Sequence, residues 1–208
     1  MLNKTVSEFS ELLSEKVSVP GGGSASALVG AYAAALCSMS ANFTSGKKKF
    51  AMYQDDIDKI IYESNLIREN LLNLVTEDIQ NFEPLSKAYS IDKNDPKRDE
   101  ILEEATKNAL FAPLKMMEQI VRSIDLLLLL EDKCSAIMIS DVGCGAYMAA
   151  AALKSASLNV FVNTKSLKNR EYAKNINEKT LNMLEYADKA MILGNRILMR
   201  LGEQDLKG

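Results

Sequence analysis

Histidine is missing altogether from this sequence, which removes the usual zinc ligand and every serine–histidine or cysteine–histidine nucleophile pair. Proton transfer is left to aspartate, glutamate, lysine, tyrosine, cysteine, serine or water. Tryptophan is also absent, and only four prolines and ten glycines interrupt 208 residues. So few breakers leave room for few turns, which favours long helices over many short strands. Cysteine is scarce: Cys37, Cys134 and Cys144 form an odd set without C-x-x-C spacing. With an N-terminus that does not read as a signal peptide, this places the chain in a reducing cytoplasm without disulfides, and Cys144, between two glycines, reads as a small core residue. Positive charge is not in excess either. A net charge of -3 leaves no broad basic surface to displace counterions from phosphates, so nucleic acid is not an expected partner.

What is present is an ordinary globular composition, 47% hydrophobic and 25% charged, with no Pro/Gly/Ser-rich linker to divide it. Residues 1–208 are therefore read as one domain. The fold class expected is all-α, a compact bundle of long, partly kinked helices. Thr5-Val6-Ser7-Glu8 has the form of a capping box opening a short helix that ends before Pro20. From Asp55 to Phe82 apolar residues such as Ile57, Ile60, Ile67, Leu71 and Leu74 recur at three- and four-residue steps, and Pro84 kinks or ends that helix. Asp95-Pro96 marks the next helix start, Pro113 bends that helix, and Leu126 to Leu130 is apolar all round. Asn159 to Asn163 has strand propensity but no partner strand, so it is kept helical or extended. A last helix runs from Asn169 to about Leu201, and the tail from Gly202 is expected to fray.

The stretch that organises the chain is Pro20-Gly21-Gly22-Gly23-Ser24, followed by about twenty small or apolar residues. Glycines without Cβ let backbone N–H groups turn toward a bound group, and Ser24 is expected to cap the helix. Such a turn can receive a carboxylate or another electron-rich oxygen. No GK[ST] ending and no G-x-G-x-x-G accompany it, so the nucleotide-binding readings fail. Ala25 to Phe43 approaches the length of a membrane span, but Ser26, Ser38, Ser40 and Asn42 dilute it and no second span is evident. A buried core helix is expected, and no membrane. Gly46 suits its C-cap, and Lys47, Lys48 and Lys49 suit the negative helix end. A second small-residue helix follows Ser140-Asp141. The two are expected to pack face to face, with polar groups converging where Ser24 and Asp141 mark their N-terminal ends.

The glycine turn, the small-residue helix and the lysine run ending in Phe50 resemble the opening of the cyclodeaminase/cyclohydrolase family, whose members act on one-carbon units carried by tetrahydrofolate. Asp78 to Phe82, Ala109 to Leu114, Ser140-Asp141 and Asn159 to Asn163 resemble later family landmarks in the same order, so the similarity spans nearly the whole chain. The resemblance implies a homodimer and a tetrahydrofolate derivative as substrate, with no metal and no tightly bound cofactor. It implies Asp141, Asp78 and Ser140 as catalytic candidates, with Asp141 first choice to face the cationic amidine carbon. Gly21, Gly22, Gly23, Ser24, Phe82 and Asn163 are the candidate substrate contacts, and Lys47 to Lys49 the grip on a folate's glutamate carboxylates. Beside these stand plainer roles: Ser140-Asp141 as a helix cap, the lysines as a solvated helix end, Tyr53 and Tyr147 as packing residues. Formimino-tetrahydrofolate cyclodeaminase is expected narrowly ahead of methenyl-tetrahydrofolate cyclohydrolase. The competing class is a non-enzymatic helical interaction module.

Overall fold

A computed structural model describes residues 2–204, and within them the chain forms six α-helices, two 3-10 turns and no strand. The first helix, α1 (Val6–Ser14), opens as the sequence dictates. Glu8 N–H donates to Thr5 Oγ1 at 3.2 Å while Thr5 N–H donates to Glu8 Oε2 at 2.6 Å. None of its residues is buried, so the cap carries much of its stability. Thr5→Ala is expected to cost about 1 kcal/mol, read as faster amide exchange within α1 and not as a lower global melting temperature.

The central helix, α2, spans Gly22–Asn42 and contains no charged residue. Its N-cap is Gly21, in extended conformation, and not Ser24, which lies buried inside the first turn. Gly46 does adopt the left-handed conformation, at φ 73°, but only after Phe43 has already ended the helix. The lysines follow it, and Lys48–Tyr53 form a 3-10 turn leading into α3 (Gln54–Ala88). Pro84 does not end α3. The carbonyl it deprives of a partner belongs to Gln80, an exposed residue whose carbonyl water can serve.

Helix α4 (Arg98–Leu130) starts two residues beyond Pro96, because the Asp95 carboxylate accepts Lys97 N–H at 2.8 Å and closes a turn first. After a 3-10 turn at Ala136–Met138, α5 (Ile139–Ser166) carries Asn159 to Asn163 as helix. Burial of Val160, in a helix that packs against α2 and α4, overrides the strand propensity of the segment. The last helix, α6 (Arg170–Gln204), starts with Asn169 Oδ1 accepting Tyr172 N–H at 2.9 Å. The tail beyond residue 204 lies outside the described residues.

One buried cluster draws on α2 to α6, with Ile60, Leu71, Met117, Ile120 and Leu127 fully enclosed. Each contributes about 1.5–3 kcal/mol by leaving water. Helix α2 packs against α3, α4 and α5, and α5 against α2, α4 and α6. Small residues permit the central approach: a Cβ on Gly145 of α5 would lie 3.4 Å from the Ala33 carbonyl oxygen of α2. The two small-residue helices therefore do meet face to face, but antiparallel. Gly22 lies beside Asn159, and Ser135 N–H donates to Thr44 Oγ1 at 2.9 Å at the other end. The expected convergence of their N-terminal ends does not occur, because α4 delivers the chain to the C-terminal end of α2 and α5 has to run back from there.

Two further expectations are corrected. Cys144 is exposed, while Cys37 and Cys134 are buried, burial pushing the Cys37 thiol up to about 12. A second helix long and apolar enough to cross a membrane does exist: the segment Ala136–Ser166 passes the same test as Gly22–Asn42. More than half of each apolar window is buried against other helices, 61% for Gly22–Asn42 and 56% for Ala136–Ser166, the pattern of paired core helices.

Candidate functional site

The first N–H groups of α2 have no partner within the helix. Over this turn lies the carboxylate of Asp78, carried in by α3. Ser24 Oγ–H donates to Asp78 Oδ2 at 3.0 Å, and the Ser24 backbone N–H also favours the charged form. Burial works the other way and outweighs both, so the carboxyl is held above the usual aspartate range. Ser24 is thus not a cap but the group that orients Asp78.

The three glycines are not equivalent. A Cβ on Gly23 would sit 2.5 Å from Asp78 Oδ1 and 2.6 Å from Oδ2, closer than atoms can stand. At Gly22 it would meet Asn159 at an ordinary 3.8 Å, and at Gly21 it would meet nothing. Gly23 is required because the protein's own carboxylate occupies the space a side chain needs.

A cleft of about 270 Å³ opens on this contact. Gly21, Gly22, Gly23 and Asp78 line one side, and Phe82, one turn along α3, adds an aromatic wall. Ala109 and Pro113 of α4 and Leu158, Asn159, Val162 and Asn163 of α5 complete it. Among the described residues, Asp78 is the one ionisable side chain in that lining. Asn163 is fixed by the proline opposite: Pro113 cannot donate to the Ala109 carbonyl, and Asn163 Nδ2 donates to it instead, at 3.4 Å. Asn159 was not singled out as a site residue. Its signal was the four-residue step to Asn163, which places both amides on one face once the segment is helical.

The remaining candidates lie at the other end of α2. Lys47, Lys48 and Lys49 are exposed, and Lys47 Nζ donates to Ser135 Oγ at 3.0 Å. Ser140 is exposed and Asp141 half-buried in the first turn of α5, whose N-cap is Met138 without a side-chain hydrogen bond, so neither residue is the cap. The length of α2 puts about 30 Å between this group and the cleft within one chain. The structure therefore joins Gly21, Gly22, Gly23, Ser24, Asp78, Phe82 and Asn163, and separates them from Lys47 to Lys49, Ser140 and Asp141. Tyr147 is a packing residue as expected, covering Gly194 and donating to Asn195 Oδ1 at 2.8 Å. A wider groove of about 520 Å³ runs along α3 between Asp58 and Glu69, but its lining comes from that one helix and gathers no polar groups from elsewhere.

Residues 5–182 match the family model described as formiminotransferase-cyclodeaminase. The chain is 35% identical to a methenyltetrahydrofolate cyclohydrolase of Methylorubrum extorquens, over 82% of this chain and 84% of that protein. It is 26% identical to the mouse formimidoyltransferase-cyclodeaminase, covering 94% of this chain but only 37% of that longer protein. In fold it resembles a formiminotetrahydrofolate cyclodeaminase from Thermotoga maritima, with a TM-score of 0.88 across 96% of this chain and 98% of the other at 24% identity.

Proposed function

Since this chain belongs to the formiminotransferase-cyclodeaminase family, we propose that it is an enzyme of folate one-carbon chemistry that hydrolyses 5,10-methenyl-tetrahydrofolate to the 10-formyl form. The observation that carries this reading is the single carboxylate of Asp78, half-buried, oriented by Ser24 and facing a cleft whose lining holds no other charge among the described residues. The methenyl carbon is cationic, and a desolvated carboxylate attracts it more strongly than one in water. As water adds to that carbon, Asp78 takes up a proton. The carbon–N5 bond then breaks, N5 receives the proton of the transient hydroxyl, and the formyl group stays on N10. One water is consumed and one proton released.

One base suffices for this direction. Cyclodeamination of 5-formimino-tetrahydrofolate passes through the same carbon but needs an acid for the departing ammonia, and the raised affinity of Asp78 for its proton favours that second reading. The 35% identity to a relative named a cyclohydrolase, against 26% to one named a cyclodeaminase, tips the choice to hydrolysis. A helical interaction module would give the Gly23–Asp78 contact no role. The proposal extends to a homodimer, to a cytoplasmic location and to folate as substrate with no resident cofactor.

The test is to follow the near-ultraviolet absorbance of methenyl-tetrahydrofolate with purified protein. Accelerated decay without ammonia supports hydrolysis. Ammonia release and growth of methenyl absorbance from 5-formimino-tetrahydrofolate, without accelerated hydrolysis, replace it by the cyclodeaminase reading.

A further inference from the structure

Two amides in the cleft are left unused by the chemistry assigned to Asp78. Asn159 and Asn163 stand one helical turn apart on α5, and both line the cleft that Asp78 faces. Each is held by its nitrogen. Asn159 Nδ2 donates to the Ser155 carbonyl at 3.1 Å, and Asn163 Nδ2 to the Ala109 carbonyl at 3.4 Å. An amide nitrogen fixed on a carbonyl decides which way the group faces, because the oxygen is turned away from that acceptor. Among the described residues neither Oδ1 accepts a hydrogen bond. Asn159 stands, in addition, where the cleft opens into a groove of about 410 Å³ between α2 and α5, and its amide lies 3.8 Å from the place a Cβ on Gly22 would take.

The side chains of the cleft therefore offer acceptors: the Asp78 carboxylate, Asn159 Oδ1 and Asn163 Oδ1. Among the described residues the Ser18 hydroxyl is the only other polar side-chain group in the lining. A phosphate or carboxylate, which brings only acceptors of its own, meets like groups there. A ligand rich in N–H donors fits.

We propose that Asn159 is a specificity-determining residue of this site, its Oδ1 and that of Asn163 accepting the two hydrogens of the exocyclic amino group of the substrate's heterocycle. This rests on the folate reading, in which the ligand is a reduced pterin with a 2-amino group. The two hydrogens of a planar amino group diverge by about 120°, so acceptors about 2.9 Å from the nitrogen stand about 5 Å apart. Residues four apart on a helix have Cβ atoms about 5–6 Å apart. The spacing matches one amino group. A ring N–H and an adjacent amino N–H, which point the same way, would instead call for two oxygens as close as those of one carboxylate. Selection follows from the same contacts. An oxo group in place of the amino group sets an acceptor against two acceptors, and a hydrogen there leaves both amide oxygens unpaired. Holding the pyrimidine end of the ring system also fixes where the one-carbon bridge comes to rest against Asp78.

The test is equilibrium binding of 5-formyl-tetrahydrofolate, a stable ligand with its one-carbon unit on N5, and of its 2-desamino counterpart, in which hydrogen replaces the amino group. Native protein is compared with Asn159→Leu and Asn159→Asp, with folding followed by circular dichroism. The native protein is expected to prefer the amino ligand by roughly 10- to 100-fold, up to about tenfold for each hydrogen bond. Asn159→Leu should lose about tenfold of that preference, all of it as weaker binding of the amino ligand, while it binds the desamino ligand at least as tightly as the native protein does. Asn159→Asp keeps an acceptor oxygen in place and should keep the preference. Equal weakening of both ligands by Asn159→Leu would make the residue merely structural and overturn the inference, as would an unchanged preference in Asn159→Leu or its loss in Asn159→Asp. A native protein that hydrolyses methenyl-tetrahydrofolate yet binds the two ligands alike overturns this inference and leaves the folate reading standing. One that neither binds nor turns over any folate overturns both.

Discussion

Asp78→Asn is expected to lower turnover of methenyl-tetrahydrofolate by about 10²–10⁴-fold, the range that loss of a positioned proton-transfer group gives. The amide keeps the shape of the side chain and can still meet Ser24, but it neither offsets a cationic carbon nor accepts a proton. Its effect on stability runs the other way. Burial raises the Asp78 pKa above the ordinary value of 3.8, so the folded state binds this proton more tightly than the unfolded state. Stability from this group is then lost as pH rises from the ordinary aspartate value through the raised folded value, and the full cost is present above that window. Asparagine carries no such cost. Asp78→Asn should therefore melt at or above the native temperature at neutral pH and converge with the native protein in acid. For the native enzyme, the acid limb of the pH–rate profile is expected above the usual aspartate range. An Asp78→Asn variant that stays folded and active removes Asp78 from the chemistry.

Gly23→Ala is the second large effect. The added Cβ has to displace the Asp78 carboxylate, since the alternative is a contact of 2.5 Å. The carboxylate is the free end of a flexible side chain, so the fold accommodates the change while the group moves off its position. A misplacement of about 1 Å costs on the order of 10² in rate. Circular dichroism and melting should change little while turnover falls. The sharper check is the double variant: if Gly23 exists to make room for Asp78, Gly23→Ala/Asp78→Asn is no slower than Asp78→Asn alone. Multiplicative losses would mean that Gly23 acts on the ligand directly.

Local interactions were legible in the residues. The Thr5–Glu8 box, the long three- and four-residue periodicity of α3 and the scarcity of breakers each depend on neighbours in sequence, and each appears in the structure as helix. The glycine turn and Asp78 were legible as candidates, and so was the family, because its motifs recur in order along the chain. Boundaries were less so: the N-cap fell on Gly21 and not on Ser24, because a half-buried carboxylate from another helix claims the Ser24 hydroxyl.

What the residues could not specify was direction. Two alanine-rich helices pack equally well parallel or antiparallel, since small side chains carry no register of their own, and only the path of α4 to the Thr44 end of α2 makes α5 run backward. That choice moves Asp141 and the lysines away from the glycine turn and brings Asn159 and Asn163 to it. It likewise selects Gly23 among three identical neighbours. Its distinction is a carboxylate 55 residues further along the chain, and nothing but tertiary packing brings that group within reach.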